Sequence, residues 1–154
     1  MGFFVLRMYH GTSMLTKESA PLLRKWVLVD ASGQPVGRLA SKIAYVLQGK
    51  HRSSWTPHVD SGDFVIVINS KKVSLTGKKI EQKKYYRHSG YPGNLKEFTA
   101  KEVLATHPNR VIETAVRLML PKSKLGRSML SKMKVYSGAE HPHSAQQPEI
   151  LSTE

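Results

Sequence analysis

The sequence predicts an α/β fold built on a pair of parallel strands, and two apolar runs with one helix between them carry that prediction. Trp26–Asp30 (Trp-Val-Leu-Val-Asp) and Phe64–Ile68 (Phe-Val-Ile-Val-Ile) are short, β-branched and bounded by polar or turn-forming residues, the pattern of buried strands. Between them Leu39, Ile43 and Leu47 recur every four residues, flanked by Ala40 and Ala44. That spacing predicts an amphipathic helix over residues 38–48, stopped by Gly49. Strand, helix and strand in this order pair in parallel with a right-handed crossover. Being apolar on both faces, Phe64–Ile68 belongs in the middle of a sheet covered on each side. At 154 residues the chain fits one domain with a sizeable core, and a second full domain is not expected.

The remaining elements follow in order. Residues 31–37 form a turn into the helix, and residues 50–62, with Pro57, two His and Trp55, are irregular. Residues 73–76 are a short extended piece. Lys84–His88 is a third strand leading into a turn at residues 90–93. Residues 100–105 make a short helix, and Pro108 opens another that runs to Leu120, with Val111, Ala115 and Met119 in one row and Ile112 and Val116 in the next; Pro121 ends it. Leu125, Met129 and Met133, with Leu130, predict a third amphipathic helix, and the methionines at 119, 129 and 133 read as core stripes. Val135 and Tyr136 close the set as a strand, and an extended tail begins at Gly138. There is no internal repeat and no low-complexity tract.

Composition narrows the function. The chain holds 24 Lys and Arg against 11 Asp and Glu, a net +13, with an isoelectric point near 10.1. Residues 71–134 contain sixteen Lys or Arg and four Glu, so +12 of the +13 falls on one contiguous part. Such a concentration repels itself unless a polyanion neutralises it, which points to RNA or DNA as partner. An acidic membrane surface fits less well, because no strongly amphipathic basic helix with bulky apolar residues stands out. The absence of cysteine excludes disulfides, thiolate catalysis and Cys-based zinc sites. No apolar run approaches the ~18 residues of a membrane span. At the start, Phe3 to Leu6 precede Arg7, too short for a secretory core, and no acidic residue comes before Glu18. Two readings of that start stand side by side: an organellar-type presequence, or an upstream start codon with Met8 or Met14 as alternatives.

Residues 77–93 concentrate the nucleic-acid signal. They hold five Lys or Arg, three Tyr, one His and three Gly within seventeen residues. Cations suit phosphates, rings suit stacking, and glycines let backbone approach a ligand. The plainer reading is a solvated lysine face with Tyr85 in a strand core. The loop Leu-Pro-Lys-Ser-Lys-Leu-Gly-Arg at residues 120–127 repeats the logic, with three cations before a helix N-terminus, and the two stretches can form one surface.

Catalytic readings fare worse. Gly33, Gly37 and Arg38 have three residues between the glycines, where a Walker A loop needs four and then Lys with Ser or Thr. His141 and His143 have no helical spacing and no Cys to complete a metal site, so a solvated or RNA-facing pair is the better reading. His58, Asp60, Ser61 and Asp63 supply triad residue types without a nucleophile elbow; residues 60–63 are better read as a turn launching the strand at Phe64. Neither a catalytic site, a metal, a cofactor nor a small-molecule substrate is expected. A free-standing regulator of DNA or messenger RNA and a nucleotide-dependent enzyme are the competing function classes; ATP or GTP binding would favour the second.

Several motifs occur in a familiar order: Trp-Val-Leu-Val-Asp-Ala from Trp26, Gly-Arg-Leu-Ala-Ser from Gly37, Gly-Lys-His from Gly49 and Gly-Asp-Phe-Val-Ile-Val-Ile-Asn from Gly62. Lys-Tyr-Tyr-Arg-His-Ser-Gly-Tyr-Pro-Gly from Lys84, residues 119–127, residues 134–138 and residues 141–146 complete the set. Over residues 25–149 the chain resembles the bacterial-type large-subunit ribosomal protein L-thirteen family. The resemblance implies a three-layer α/β/α domain around a mainly parallel four-stranded sheet, a structural role in the large subunit, large-subunit rRNA and neighbouring large-subunit proteins as partners, and support of early assembly. It implies location in the ribosome, in the cytoplasm for a bacterial source, with an organellar ribosome also open. Residue by residue it makes Lys78, Lys79, Lys84, Tyr86, Arg87, His88, Tyr91, Lys122, Lys124 and Arg127 the candidate RNA contacts. The expected division is an N-terminal extension over 1–24, the rRNA-binding domain over 25–138 and an extended tail over 139–154. Asn94, Ser123 and Ser137 depart from the family's usual residues; Asn tolerates the left-handed backbone region, which would preserve the loop at Asn94.

Overall fold

The computed structural model describes residues 15–151. The reading of the chain start through Phe3, Met8 and Met14 therefore lies outside the described residues. Strands β1 (Trp26–Asp30) and β2 (Phe64–Ile68) run parallel, with Trp26 opposite Phe64 and Asp30 opposite Ile68. A strand at Met133–Val135, β5, joins the far side of β2, and Glu149–Ile150, β6, joins the far side of β1, both parallel. The order is β5-β2-β1-β6, and helices surround the sheet in the predicted three-layer α/β/α arrangement. β2 is interior, as its two apolar faces require: Val65, Ile66 and Val67 are all buried.

Helix α1 (Val36–Gln48) ends where Gly49 turns left-handed. Its Leu39, Ile43 and Leu47 share a core with Val27 and Val29 of β1, Val65 and Val67 of β2, and Val111, Ile112 and Val116 of helix α4 (Pro108–Met119). Burial of each such leucine or isoleucine is worth roughly 1.5–3 kcal/mol, so the four-residue spacing itself docks α1. Alternation sends Trp26 and Phe64 to the other face of the sheet, where their rings stack at 4.4 Å.

Charge holds the strand starts. Lys132, just ahead of β5, is 4% exposed; its ammonium donates to Asp60, to the Gly62 carbonyl at 2.8 Å and to the Leu47 carbonyl at 3.4 Å. Asp63, just ahead of β2, accepts from the Lys25 amide at 2.9 Å and from the Arg52 guanidinium. Arg24 reaches Asp60 at 3.3 Å. The turn expected at residues 60–63 lies earlier, at residues 56–59, where the Val59 amide donates to the Thr56 carbonyl at 3.3 Å. Residues 60–63 run irregularly into β2 because the Asp60 and Asp63 carboxylates bind Lys132, Arg24, Arg52 and the Lys25 amide rather than their own backbone, and so tie three strand entrances together.

Several expectations change. Helix α5 spans Lys124–Ser131, so Met133 and Lys134 are strand rather than helix. The four-residue spacing runs on past the helix, but the free edge of β2 offers a hydrogen-bond ladder, and Met133 pairs with Val65. Met119 is 43% exposed rather than part of a core stripe: at the end of α4 it is the next residue, Leu120, that turns into the core. Lys84–His88 is a strand, β3, but outside the main sheet: it pairs antiparallel with β4 (Leu95–Thr99), which no apolar run announces. The short α2 (Lys79–Gln82) and β6 were likewise not expected. Helix α3 (Ala100–Thr106) starts at a capping box, Thr99 accepting from the Glu102 amide and Glu102 from the Thr99 amide. His141 and His143 are half-buried rather than solvated: the Tyr136 hydroxyl lies 2.8 Å from His143 Nε2, and the His143 ring packs 5.2 Å from Trp26.

Two outcomes test this framework. A Cβ on Gly62 would lie 1.7 Å from the Leu47 carbonyl oxygen. Gly62→Ala is therefore expected to cost about 1–3 kcal/mol, read as a lower urea midpoint at unchanged slope. Asn69 donates to Asp30 Oδ1 at 2.9 Å and the Ser32 amide does so at 3.0 Å, holding the Asp30 carboxyl below its ordinary 3.8. A depressed carboxyl adds stability present above its unfolded value and lost as pH falls through the folded one. In Asn69→Ala the Asp30 midpoint is expected to move back up toward 3.8 in a carboxyl NMR titration; an unmoved midpoint would refute the Asn69 contribution.

Candidate nucleic-acid interface

The hairpin of β3 and β4 is anchored at its base and free at its tip. Tyr85 lies opposite Phe98, and both pack, partly buried, against the core. The neighbouring position alternates away: Tyr86 is 57% exposed. Lys84 pairs with Glu97 at 2.8 Å, and that hydrogen bond holds its ammonium above the ordinary lysine value. The Lys83 ammonium stands 5.4 Å from the Tyr85 ring centroid, while burial pushes the Tyr85 hydroxyl's pKa up.

At the tip Tyr91 is 75% exposed. The Asn94 amide donates to the Tyr91 carbonyl at 3.3 Å, with Pro92 second and Gly93 third at φ +73°, a type II turn. Asn94 does not use the left-handed region that the sequence suggested for it; its side chain instead donates to Ser89 Oγ at 2.9 Å and closes the loop. His88 Nδ1 accepts from the Gly90 amide at 3.0 Å, which leaves its other ring nitrogen outward.

The second stretch sits at the start of α5. Ser123 caps the helix by accepting from the Gly126 amide at 3.2 Å, and Lys122, Lys124 and Arg127 are all exposed around it. Between the stretches runs an open groove of about 980 Å³, walled by β3, α4 and the α5–β5 junction, with Lys84 and Tyr86 on one side. A hollow of about 400 Å³ beside it is lined by Lys122 and Arg127 and shares Arg117, Leu118 and Leu130 with the groove. The hairpin base and the loop thus adjoin one surface.

The ten sequence candidates do not all gather there. Lys84 and Tyr86 line the groove, Lys122 and Arg127 line the hollow, and Lys124 begins α5 beside it. Arg87, His88 and Tyr91 occupy the distal half of the hairpin, while Lys78 and Lys79 lie at the start of α2; none of these five lines either recess. Sequence reasoning missed Arg110, Arg117 and Lys134, which line the groove. Arg110, Glu113 and Arg117 recur at helical spacing opposite the buried Val111, Ile112 and Val116, a signal that a search for polar rows on α4 would have found. Among the described residues no group of three His, Asp or Glu side chains is placed to hold a metal ion.

The model of the family described as Ribosomal protein L13 matches residues 24–142. The chain belongs to the ribosomal protein L13 family. Among its relatives, a protein of Thermotoga petrophila is 57% identical over 140 residues, 91% of this chain and 93% of that one. One of Natranaerobius thermophilus is 60% identical over 126 residues, 82% of this chain and 88% of that one. One of Thermus thermophilus is 58% identical over 127 residues, 82% and 91% respectively. Each is named large ribosomal subunit protein uL13. The span matched to the L13 family encloses the hairpin, the groove and the start of α5.

In this L13-family chain the hairpin tip depends on Gly93, where a Cβ would meet open space but a left-handed backbone. Gly93→Ala is expected to cost about 1–2 kcal/mol, with amide shift changes confined to residues 88–95. Changes spreading into β1 or β2 would show that the tip is not independent.

Proposed function

We infer that the chain is a structural constituent of the large ribosomal subunit that binds large-subunit rRNA and supports early subunit assembly. It works within the ribosome, in the cytoplasm like its bacterial relatives, beside neighbouring large-subunit proteins, and it catalyses no reaction. Family membership over residues 24–142 carries the reading. The charge distribution supports it independently, since +12 of the net +13 belongs to residues 71–134, which build the hairpin, α4 and α5.

The proposed contacts are Lys78, Lys79, Lys84, Arg87, His88, Lys122, Lys124 and Arg127 on phosphates, with Tyr86 and Tyr91 offering rings to unpaired bases. Lysine and arginine at phosphates release condensed counterions, a sequence-independent gain that falls with salt. Phosphate contacts set register, while exposed rings select single-stranded positions. The proposed binding unit is residues 25–138, with 1–24 as an extension and 139–154 as a tail whose β6 completes the sheet.

Each Lys→Gln change among these positions is expected to weaken rRNA binding almost uniformly across sequences and to lower the salt slope by about 0.7–0.9. Tyr91→Ala is expected to cost ~1–3 kcal/mol of binding. Filter binding between low and physiological salt reads both effects, and an affinity indifferent to salt would sink the electrostatic mechanism. In cell lysates the chain is expected to sediment with large subunits; recovery in free fractions alone would favour a free-standing regulator.

A further inference from the structure

The groove between β3, α4 and β5 is lined by five cations, Lys83, Lys84, Arg110, Arg117 and Lys134, and by one carboxylate, Glu113. Lys84 is engaged with Glu97. Among the described residues, Arg110, Arg117 and Lys134 form no ion pair with a carboxylate. Arg110 and Arg117 are seven residues apart on one face of α4, about 10 Å along the axis at ~1.5 Å per residue. With Glu113 between them in the same row, they set two cations and one carboxylate along one wall, Lys134 and Lys83 add further cations, and the exposed ring of Tyr86 stands on another.

We propose that this groove holds a short unpaired segment of RNA, with Arg110, Arg117 and Lys134 on its phosphates and Tyr86 against a base. The proposal rests on the rRNA-binding reading and adds a third surface that links the hairpin to the loop before α5. A cationic channel with an exposed aromatic side chain is the arrangement that tracks single strands without demanding a sequence. The recess, about 980 Å³, has room for a few splayed nucleotides, whose unstacked bases can reach the Tyr86 ring as the stacked bases of a duplex cannot. An acidic peptide would use the same cations but would gain nothing from the Tyr86 ring that a base does not gain better.

The test compares the full chain with R110Q/R117Q/K134Q, using a fluorescein-labelled decauridine and separately an intact large-subunit rRNA transcript, by anisotropy from low to physiological salt. The substitutions are at solvent-accessible positions, and thermal melts check folding; R110K/R117K keeps the charges and is expected to restore binding if the triple variant is impaired. The expected result is at least a tenfold loss of decauridine affinity and a salt slope lower by about two, at ~0.7 per phosphate contact on a single strand. Y86A is expected to weaken decauridine binding further at unchanged salt slope. A folded triple variant that binds decauridine like the parent chain overturns the groove while leaving rRNA binding through the other surfaces intact. A parent chain that binds neither RNA overturns the functional reading itself. Displacement of decauridine by an oligoglutamate peptide of equal length and charge at equal concentration, with no effect of Y86A, would make the groove a peptide site.

Discussion

One buried ammonium sets the geometry of the sheet. Lys132 is surrounded by the Asp60 carboxylate and the carbonyls of Leu47 and Gly62, groups that come from the end of α1 and the approach to β2. Burial pushes its pKa down, and the hydrogen bond to Asp60 opposes that shift. Replacing such a pair by apolar residues often costs nothing in stability, so its value here is positional. An unpaired charge in that place would be far worse, so the chain has one way to bring residue 132 past residues 60–62. That passage places Met133 opposite Val65 and no other residue. The position of α5, and with it the Lys122 to Arg127 loop, follows from this register.

The opposite ends of the strands are tied by hydrogen bonds without an ion pair. Asn69, left-handed at the end of β2, donates its side chain to Asp30 and its backbone amide to the Gly138 carbonyl. Ser70 donates to Asn109 Oδ1 at 2.6 Å, and Asn109 donates to the Val135 carbonyl at 3.0 Å. Because Asn109 lies in the first turn of α4, these bonds fix the rotation of that helix. The rotation buries Val111, Ile112 and Val116 and turns Arg110 and Arg117 toward the groove. A basic surface results from the way the helix is fastened, with no element dedicated to it.

The second face of the sheet is closed by rings. Trp26 stacks on Phe64, His143 packs on Trp26, and Tyr136 reaches His143 through its hydroxyl. These contacts carry the chain from β5 across to the far edge, where residues 149–150 add β6 to β1. His143, which the sequence suggested as solvated, is part of this ring packing, and His141 accepts from its amide at 3.2 Å.

By itself the sequence determined β1, α1, β2 and the inner face of α4, because a short continuous apolar run and apolar spacing at 3.6 residues are local properties that survive without tertiary information. It also showed that positive charge gathers in residues 71–134, and its motif order pointed to the family. What only the tertiary structure decided is pairing and facing. β4, with Lys96 and Glu97 in its five residues, is a strand because Lys84–His88 lies alongside it. Met133 continues a helical spacing and is a strand because β2 has a free edge. Arg110, Arg117 and Lys134 come from two separate elements and meet Lys84 from a third and Lys83 just ahead of it, so no short window of sequence contains their groove. Charge acts through space and not along the chain, which is why the cations could be counted from the sequence but their common surface had to be folded.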